Sequence, residues 1–179
     1  YETTANTNYV TRATDAATTV NVTVEGAAFE IVNDATDATK PTTGQVFGCN
    51  NKAGSPTGHV KVEVTSIGTY TGQAVGLAAV YGGGNEADYI PDANTTDKNL
   101  EVVINANGAK INKVFDGGNA ADVGDTGDNG VTAGTKVTLT DGEVKNGIYG
   151  GCNTEGTVTD DTSVKAKIGR AVQQECRDR

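Results

Sequence analysis

Four short stretches of the chain repeat one pattern, a branched residue, an aromatic, glycines and an asparagine. They are QVFGCNN from Gln45, AVYGGGN from Ala79, KVFDGGN from Lys113 and GIYGGCN from Gly147. Their branched residues, Val46, Val80, Val114 and Ile148, fall 34 residues apart each time. A fixed period of this size marks a chain built from stacked units, because one unit cannot bury its own apolar face and a neighbour must cover it. Each motif is preceded by a run in which apolar and polar residues alternate: VNVTV from Val20, VKVEV from Val60, LEVVI from Leu100 and KVTLT from Lys136, with a weaker SVKAK from Ser163. One unit therefore holds at least two strands.

The distances inside the units vary, and their shortest forms add to about 25 residues. A degenerate fifth motif, Val172 to Cys176, follows Ile148 to Cys152 after 24 residues with nothing inserted. Short strands, glycine corners and insertions confined to corners are what one coil of a parallel β-solenoid requires. The expected fold is all-β, a right-handed parallel β-helix of about five coils. Residues 1–19 read as an N-terminal extension or cap, 20–172 as the solenoid and 173–179 as a basic tail. The motif is then a corner: glycine reaches positive φ without steric cost, and asparagine tolerates the left-handed region. Stacking would let Asn50, Asn85, Asn119 and Asn153 bond one another as a ladder. Asn107-Gly108, Asn129-Gly130 and Asn146-Gly147 mark further tight turns.

The VYGGGN corner after an alternating strand, best seen in VTLTDGEVKNGIYGGCN from Val137, resembles the repeats of secreted bacterial right-handed β-helix surface proteins, often called adhesin-like. The resemblance covers roughly Val20 to Val172. It implies a secreted or cell-surface location and a role in display or adhesion, and it assigns no ligand.

Composition agrees with many short strands and turns. Hydrophobic residues make up 36%, aromatics 5%, there are 24 glycines, and Met and Trp are absent. No run of eighteen apolar residues predicts a membrane span, and no apolar stretch suits a signal peptide. The chain opens at Tyr1, as a mature or excised portion of a longer protein would. Residues 1–164 carry a net charge of −12 and residues 165–179 one of +3. An acidic body argues against nucleic acid, which needs a basic face. Cys49, Cys152 and Cys176 are too few and too scattered for a disulfide scaffold, and with one histidine, His59, there is no zinc-ligand spacing. They read as small apolar fillers, with Cys49 a free thiol and Cys152 and Cys176 one coil apart in a shared register.

Several residues are candidates for chemistry. Phe47, Tyr81, Phe115 and Tyr149 occupy one position in four corners; core filling is the stronger reading, and an exposed strip for sugar rings the rival. Asp122, Asp125 and Asp128 lie in an oxygen-rich loop suited to Ca2+, although their spacing departs from an EF-hand loop and a solvated acidic insertion is the plainer reading. Asp88, Asp92 and Asp97 form a weaker cluster. Asp116 stands where Gly82 and Gly150 stand in other motifs, with Lys113 nearby, but no second acid shares its register, so the paired carboxylates of a polysaccharide-cleaving enzyme are lacking. A regular Thr-x-Thr ladder for ice is lacking too, since Val102 and Ile104 replace the threonines. Tyr70 and Tyr89 are the aromatic residues placed on inserted loops, and hence the expected ligand anchors. The expectation is a non-enzymatic stalk or adhesin-like surface that meets a glycan or protein of a host or neighbouring cell. It involves neither nucleic acid nor membrane insertion, and no cofactor beyond the calcium candidate. A carbohydrate-active β-helix enzyme is the alternative.

Overall fold

The computed structural model describes residues 19–26, 28–127 and 130–167. Outside them lie residues 1–18 of the expected cap, the fifth motif at Val172 to Cys176, the basic tail, Asp128 and Asn129.

Eight strands follow one another: β1 (Val20–Val24), β2 (Gln45–Phe47), β3 (Val60–Val64), β4 (Leu77–Tyr81), β5 (Leu100–Phe115), β6 (Thr135–Val144), β7 (Ile148–Tyr149) and β8 (Thr162–Ala166). The protein is all-β, and every pairing between these strands is parallel. Two ladders result. The first runs β1-β3-β5-β6-β8, and the second runs β2-β4, then the end of β5, then β7.

The register explains the alternation in the sequence. Val22, Val62, Val102, Val137 and Val164 pair side by side along the first ladder. Within this set Val62, Val102 and Val137 are fully buried, as are Val60, Val64, Leu100 and Ile104 of the same face, while Val164 on the last strand is 46% exposed. Along the second ladder Val46, Val80, Val114 and Ile148 pair in the same way, so the 34-residue period of the motif is the distance from one strand to its neighbour. Their side chains join those of the first ladder in one apolar cluster. Full burial, as at Val80 and Val114, stabilises the fold by about 1.5–3 kcal/mol per side chain. A third row was not visible in the alternation: single parallel bridges connect Tyr89 to Val123 and Val123 to Val158.

Two strands are longer than the sequence suggests. β5 unites the expected LEVVI run with the motif at Lys113, passing through Asn107-Gly108 without leaving the sheet. Gly108 has φ 74°, and the pairing with β6 shifts register between Ile104 and Asn105 and again between Asn105 and Lys110. That turn is therefore a corner inside a continuous strand.

The glycines after each aromatic permit close approach. Gly83 is hydrogen-bonded to Gly117 and Gly117 to Gly151, backbone to backbone. A Cβ on Gly83 would lie 2.8 Å from the Gly118 nitrogen, and one on Gly117 would lie 2.7 Å from Cys152 Sγ. Cys49 takes the Gly83 position in the first motif, since its N–H donates to the Gly83 carbonyl. Among the described residues Cys49 and Cys152 form no disulfide, and burial raises the pKa of each.

Candidate functional site

The second ladder divides its side chains between the main core and a face of their own. Strand residues alternate faces, so when Val80 and Val114 point inward, Tyr81 and Phe115 point to the other side. There the four motif aromatics stack in a column. Ring centroids are 4.6 Å apart for Phe47 and Tyr81, 5.2 Å for Tyr81 and Phe115, and 4.8 Å for Phe115 and Tyr149, with planes within 12° of parallel. Tyr81, Phe115 and Ala79 are buried in a small cluster of their own, apart from the main core, while Tyr149 is 44% exposed. The rings are thus packing residues. The faces of Tyr81 and Phe115 are taken by their neighbours, so the buried middle of the column offers no flat strip on which a sugar would lie.

Beside the rings runs an asparagine ladder. Asn85 Nδ2 donates to Asn51 Oδ1 at 2.9 Å, Asn119 Nδ2 to Asn85 Oδ1 at 2.8 Å, and Asn153 Nδ2 to Asn119 Oδ1 at 2.8 Å. The first member is Asn51, not Asn50 as expected. Counting five residues on from each branched position reaches Asn51, Asn85, Asn119 and Asn153, whereas Asn50 is buried and bonds the Ala53 carbonyl. A shorter ladder joins Asn146 to Asn112.

Between these features lies a groove of about 790 Å³. Ala78, Ala79, Tyr81 and Phe115 floor it, Asp37 to Thr42 wall one side, and Asn85, Asn119 and Asn153 with Glu86 and Glu155 wall the other. The first wall is held by two successive turns in which Asp34 Oδ1 accepts from the Thr36 N–H and hydroxyl and Asp37 Oδ1 accepts from those of Thr39. These bonds favour the ionised form and lower both carboxyl pKa values. The groove thus offers carboxylates, amides and the Lys40 and Lys113 ammonium groups around an apolar floor.

A second polar group sits on the outer face of the first ladder. Glu101 Oε1 is 2.9 Å from Lys136 Nζ, and its other oxygen is 3.8 Å from His59 Nε2, whose Nδ1 is 4.0 Å from Asp97 Oδ2. The bond and charge of Glu101 raise the Lys136 pKa. Asp116 lies within the fold near these charges, at 0% exposure. Among the described residues neither carboxyl oxygen has a hydrogen-bond partner. Burial pushes its pKa up to about 9, helped by the negative charge of Glu101; the Thr135 hydroxyl and Lys136 oppose this only in part. The single proton of that hydroxyl goes to the Gly150 carbonyl. Asp116 is therefore inaccessible to a polymer, and Lys113 lines the outer groove instead of facing it.

Tyr89 requires a correction. Expected as an exposed anchor, it is fully buried, because it sits on the third row with its ring among Val60, Leu100 and Val123 and its hydroxyl donating to the Gly58 carbonyl at 3.0 Å. Tyr70 is 43% exposed. Asp122 is drawn into the stacking: its N–H donates to Asp88 Oδ1 at 2.8 Å, and its own carboxylate accepts the Thr157 N–H at 2.7 Å. Asp125 accepts the Gly127 N–H at 2.9 Å, and Asp128 is outside the described residues. Among the described residues no three His, Cys, Asp or Glu gather as metal ligands. The same loop position that suggested calcium thus serves strand-to-strand bonding at Asp122.

No protein-family model, curated protein or solved structure matches the chain.

Proposed function

We propose that the chain is a segment of a right-handed parallel β-helix, a solenoid of about five coils, serving a secreted or cell-surface protein as a stalk or adhesin-like surface without catalysing a reaction. The observation that carries this reading is the asparagine ladder from Asn51 to Asn153, which ties four motif copies together in constant register. Parallel strands joined by crossovers are right-handed almost without exception, which supplies the hand.

Such a scaffold commits its inward residues to the core and its corner amides and rings to stacking. Recognition is left to the outer walls, as is usual for loops on a rigid frame. The groove between the Asp37 to Thr42 wall and the asparagine ladder is the surface a glycan or an extended peptide of a host or neighbouring cell would meet. Among the described residues that line it there is no Trp or Arg, the residues that most often dominate binding energy. Affinity per copy is therefore weak and gains from multivalent display.

The test is binding of the chain to arrayed glycans and host proteins, together with incubation with pectins and uronates. The expected result is affinity no tighter than micromolar and no cleavage. A nanomolar monovalent ligand, or polysaccharide cleavage by the pure chain, would replace this reading with a dedicated receptor or an enzyme.

A further inference from the structure

Two Asn-Gly pairs lie wholly within the described residues, and the fold treats them in opposite ways. Asn107-Gly108 forms the corner inside β5, and Asn146-Gly147 immediately precedes β7. In such a pair the backbone nitrogen of the glycine is placed to attack the side-chain amide carbon of the asparagine, because glycine carries no Cβ to hinder the approach. The attack needs an asparagine amide free to turn, a glycine nitrogen not held in a ladder, and water at hand.

At Asn146 these conditions fail. Its Nδ2 donates to Asn112 Oδ1, its N–H donates to the Asn112 carbonyl at 2.8 Å, and its own carbonyl accepts the Tyr149 hydroxyl at 3.0 Å. A Cβ on Gly147 would lie 2.8 Å from the Tyr149 hydroxyl oxygen, so that side chain covers the glycine, whose carbonyl accepts the Val114 N–H. At Asn107 they are met. Asn107 and Gly108 are both exposed, and among the described residues the Asn107 side chain has no hydrogen-bond partner. Pairing of β5 with β3 ends at Ile104, pairing with β4 begins at Ile111, and the register with β6 breaks between Asn105 and Lys110, so no ladder partner holds Gly108. Nothing lies within 4 Å of where a Cβ on Gly108 would stand. Buried Ala106 and Ala109 anchor the corner on either side, which leaves the pair between them as the part able to rearrange.

We propose that Asn107 is a self-modifying site that converts to aspartate and isoaspartate in the folded chain, while the stacking around Asn146 protects the equivalent pair there. The Gly108 nitrogen forms a bond to Asn107 Cγ, the Cγ–Nδ2 bond breaks, and ammonia leaves carrying the proton of the Gly108 N–H. Water then opens the cyclic imide at either carbonyl, giving aspartate, or isoaspartate in which the main chain runs through Cγ. The sequence of steps consumes only water. Each conversion adds a negative charge to an exposed corner of a chain whose net charge is already −9. The isoaspartate product lengthens the main chain by one methylene at a point where no ladder bond is lost. The proposal rests on the corner alone, whatever the outer groove binds.

Peptide mapping by mass spectrometry of the full chain, held folded at mildly alkaline pH and in parallel in urea, tests this. Conversion is read as a gain of one mass unit on the peptide carrying each asparagine, and electron-transfer fragmentation separates isoaspartate from aspartate. In the fold Asn107 should convert more than about tenfold faster than Asn146, where the bonds to Asn112 and Tyr149 must first break, each at its usual net worth. In urea the two rates should converge. Asn107→Gln should abolish the gain on its own peptide, because the longer side chain closes a ring less readily. Asn112→Ala should speed Asn146 and leave Asn107 unchanged, with circular dichroism checking that the sheet persists. Asn107 converting no faster than Asn146 in the folded chain, or converting only in urea, overturns the proposal.

Discussion

Asn119 donates its side-chain amide to Asn85 at 2.8 Å and accepts that of Asn153 at 2.8 Å, so one residue joins segments 34 positions away on either side. Replacing it removes a donor and an acceptor together. Asn119→Ala should cost about 1–2 kcal/mol, two bonds at the usual net worth of each, seen as a lower denaturant midpoint. Asn94→Ala serves as the control, because that amide bonds only Asp92 two residues away; its cost should stay within about 0.5 kcal/mol. Equal losses at the two positions would deny the ladder a structural role.

Asp116 sets a pH dependence whose sign follows from burial. Its carboxyl is held near a pKa of about 9 in the fold against an ordinary 3.8. Between those values the folded state keeps a proton that the unfolded state releases. The fold is therefore least penalised below pH 3.8 and loses stability as pH rises toward 9, on the order of 1 kcal/mol per pH unit. Asp116→Ala should flatten this fall between pH 6 and 8 and raise the melting temperature at pH 8. Stability curves of the two proteins that run parallel over this range would mean that the carboxyl is ionised in the fold.

Gly83 and Gly151 occupy equivalent positions in different motif copies, yet they differ in what lies above them. A Cβ on Gly83 meets the Gly118 backbone at 2.8 Å, while one on Gly151 meets nothing within 4 Å. Gly83→Ala should therefore destabilise by roughly 1–3 kcal/mol, the range for overpacking, and Gly151→Ala by much less in dilute solution. Thermal unfolding of both variants checks the contrast, and similar losses would contradict the stacking order.

The parallel stack was legible because its causes repeat. Val46, Val80, Val114 and Ile148 recur at a constant interval, and the structure makes that interval the step between paired strands. The ring column was legible for the same reason. Single events were harder. Tyr89 looks like a loop aromatic because it follows an insertion of Asn, Glu and Asp, and only its bridge to Val123 brings it inside. Asn50 follows its glycine and cysteine as Asn85 follows its glycines, but the distance from Val46 makes Asn51 the ladder member. Asp116 stands out in the sequence as an intruder in a glycine position, but nothing in one dimension says that its side chain points inward and, among the described residues, lacks a partner. The Glu101, Lys136 and His59 grouping joins residues up to 77 positions apart and has no local signature.

Tyr89 gives a prediction that separates core from surface. Tyr89→Phe removes the hydroxyl that serves the Gly58 carbonyl and leaves the ring in place. A loss of about 1–3 kcal/mol is expected for a buried acceptor left unpaired, with no change in binding to any arrayed glycan or protein. Unaltered stability combined with lost binding would return Tyr89 to the surface.

Parallel, in-register pairing of the motif copies underlies both ladders. Nuclear Overhauser spectroscopy on the isotope-labelled chain measures it directly, through backbone contacts of Val80 with Val114 and of Val62 with Val102. Contacts should step forward in the same direction on both partners, Ala79 with Lys113 and Tyr81 with Phe115. Contacts that step in opposite directions, the pattern of antiparallel hairpins, would contradict it.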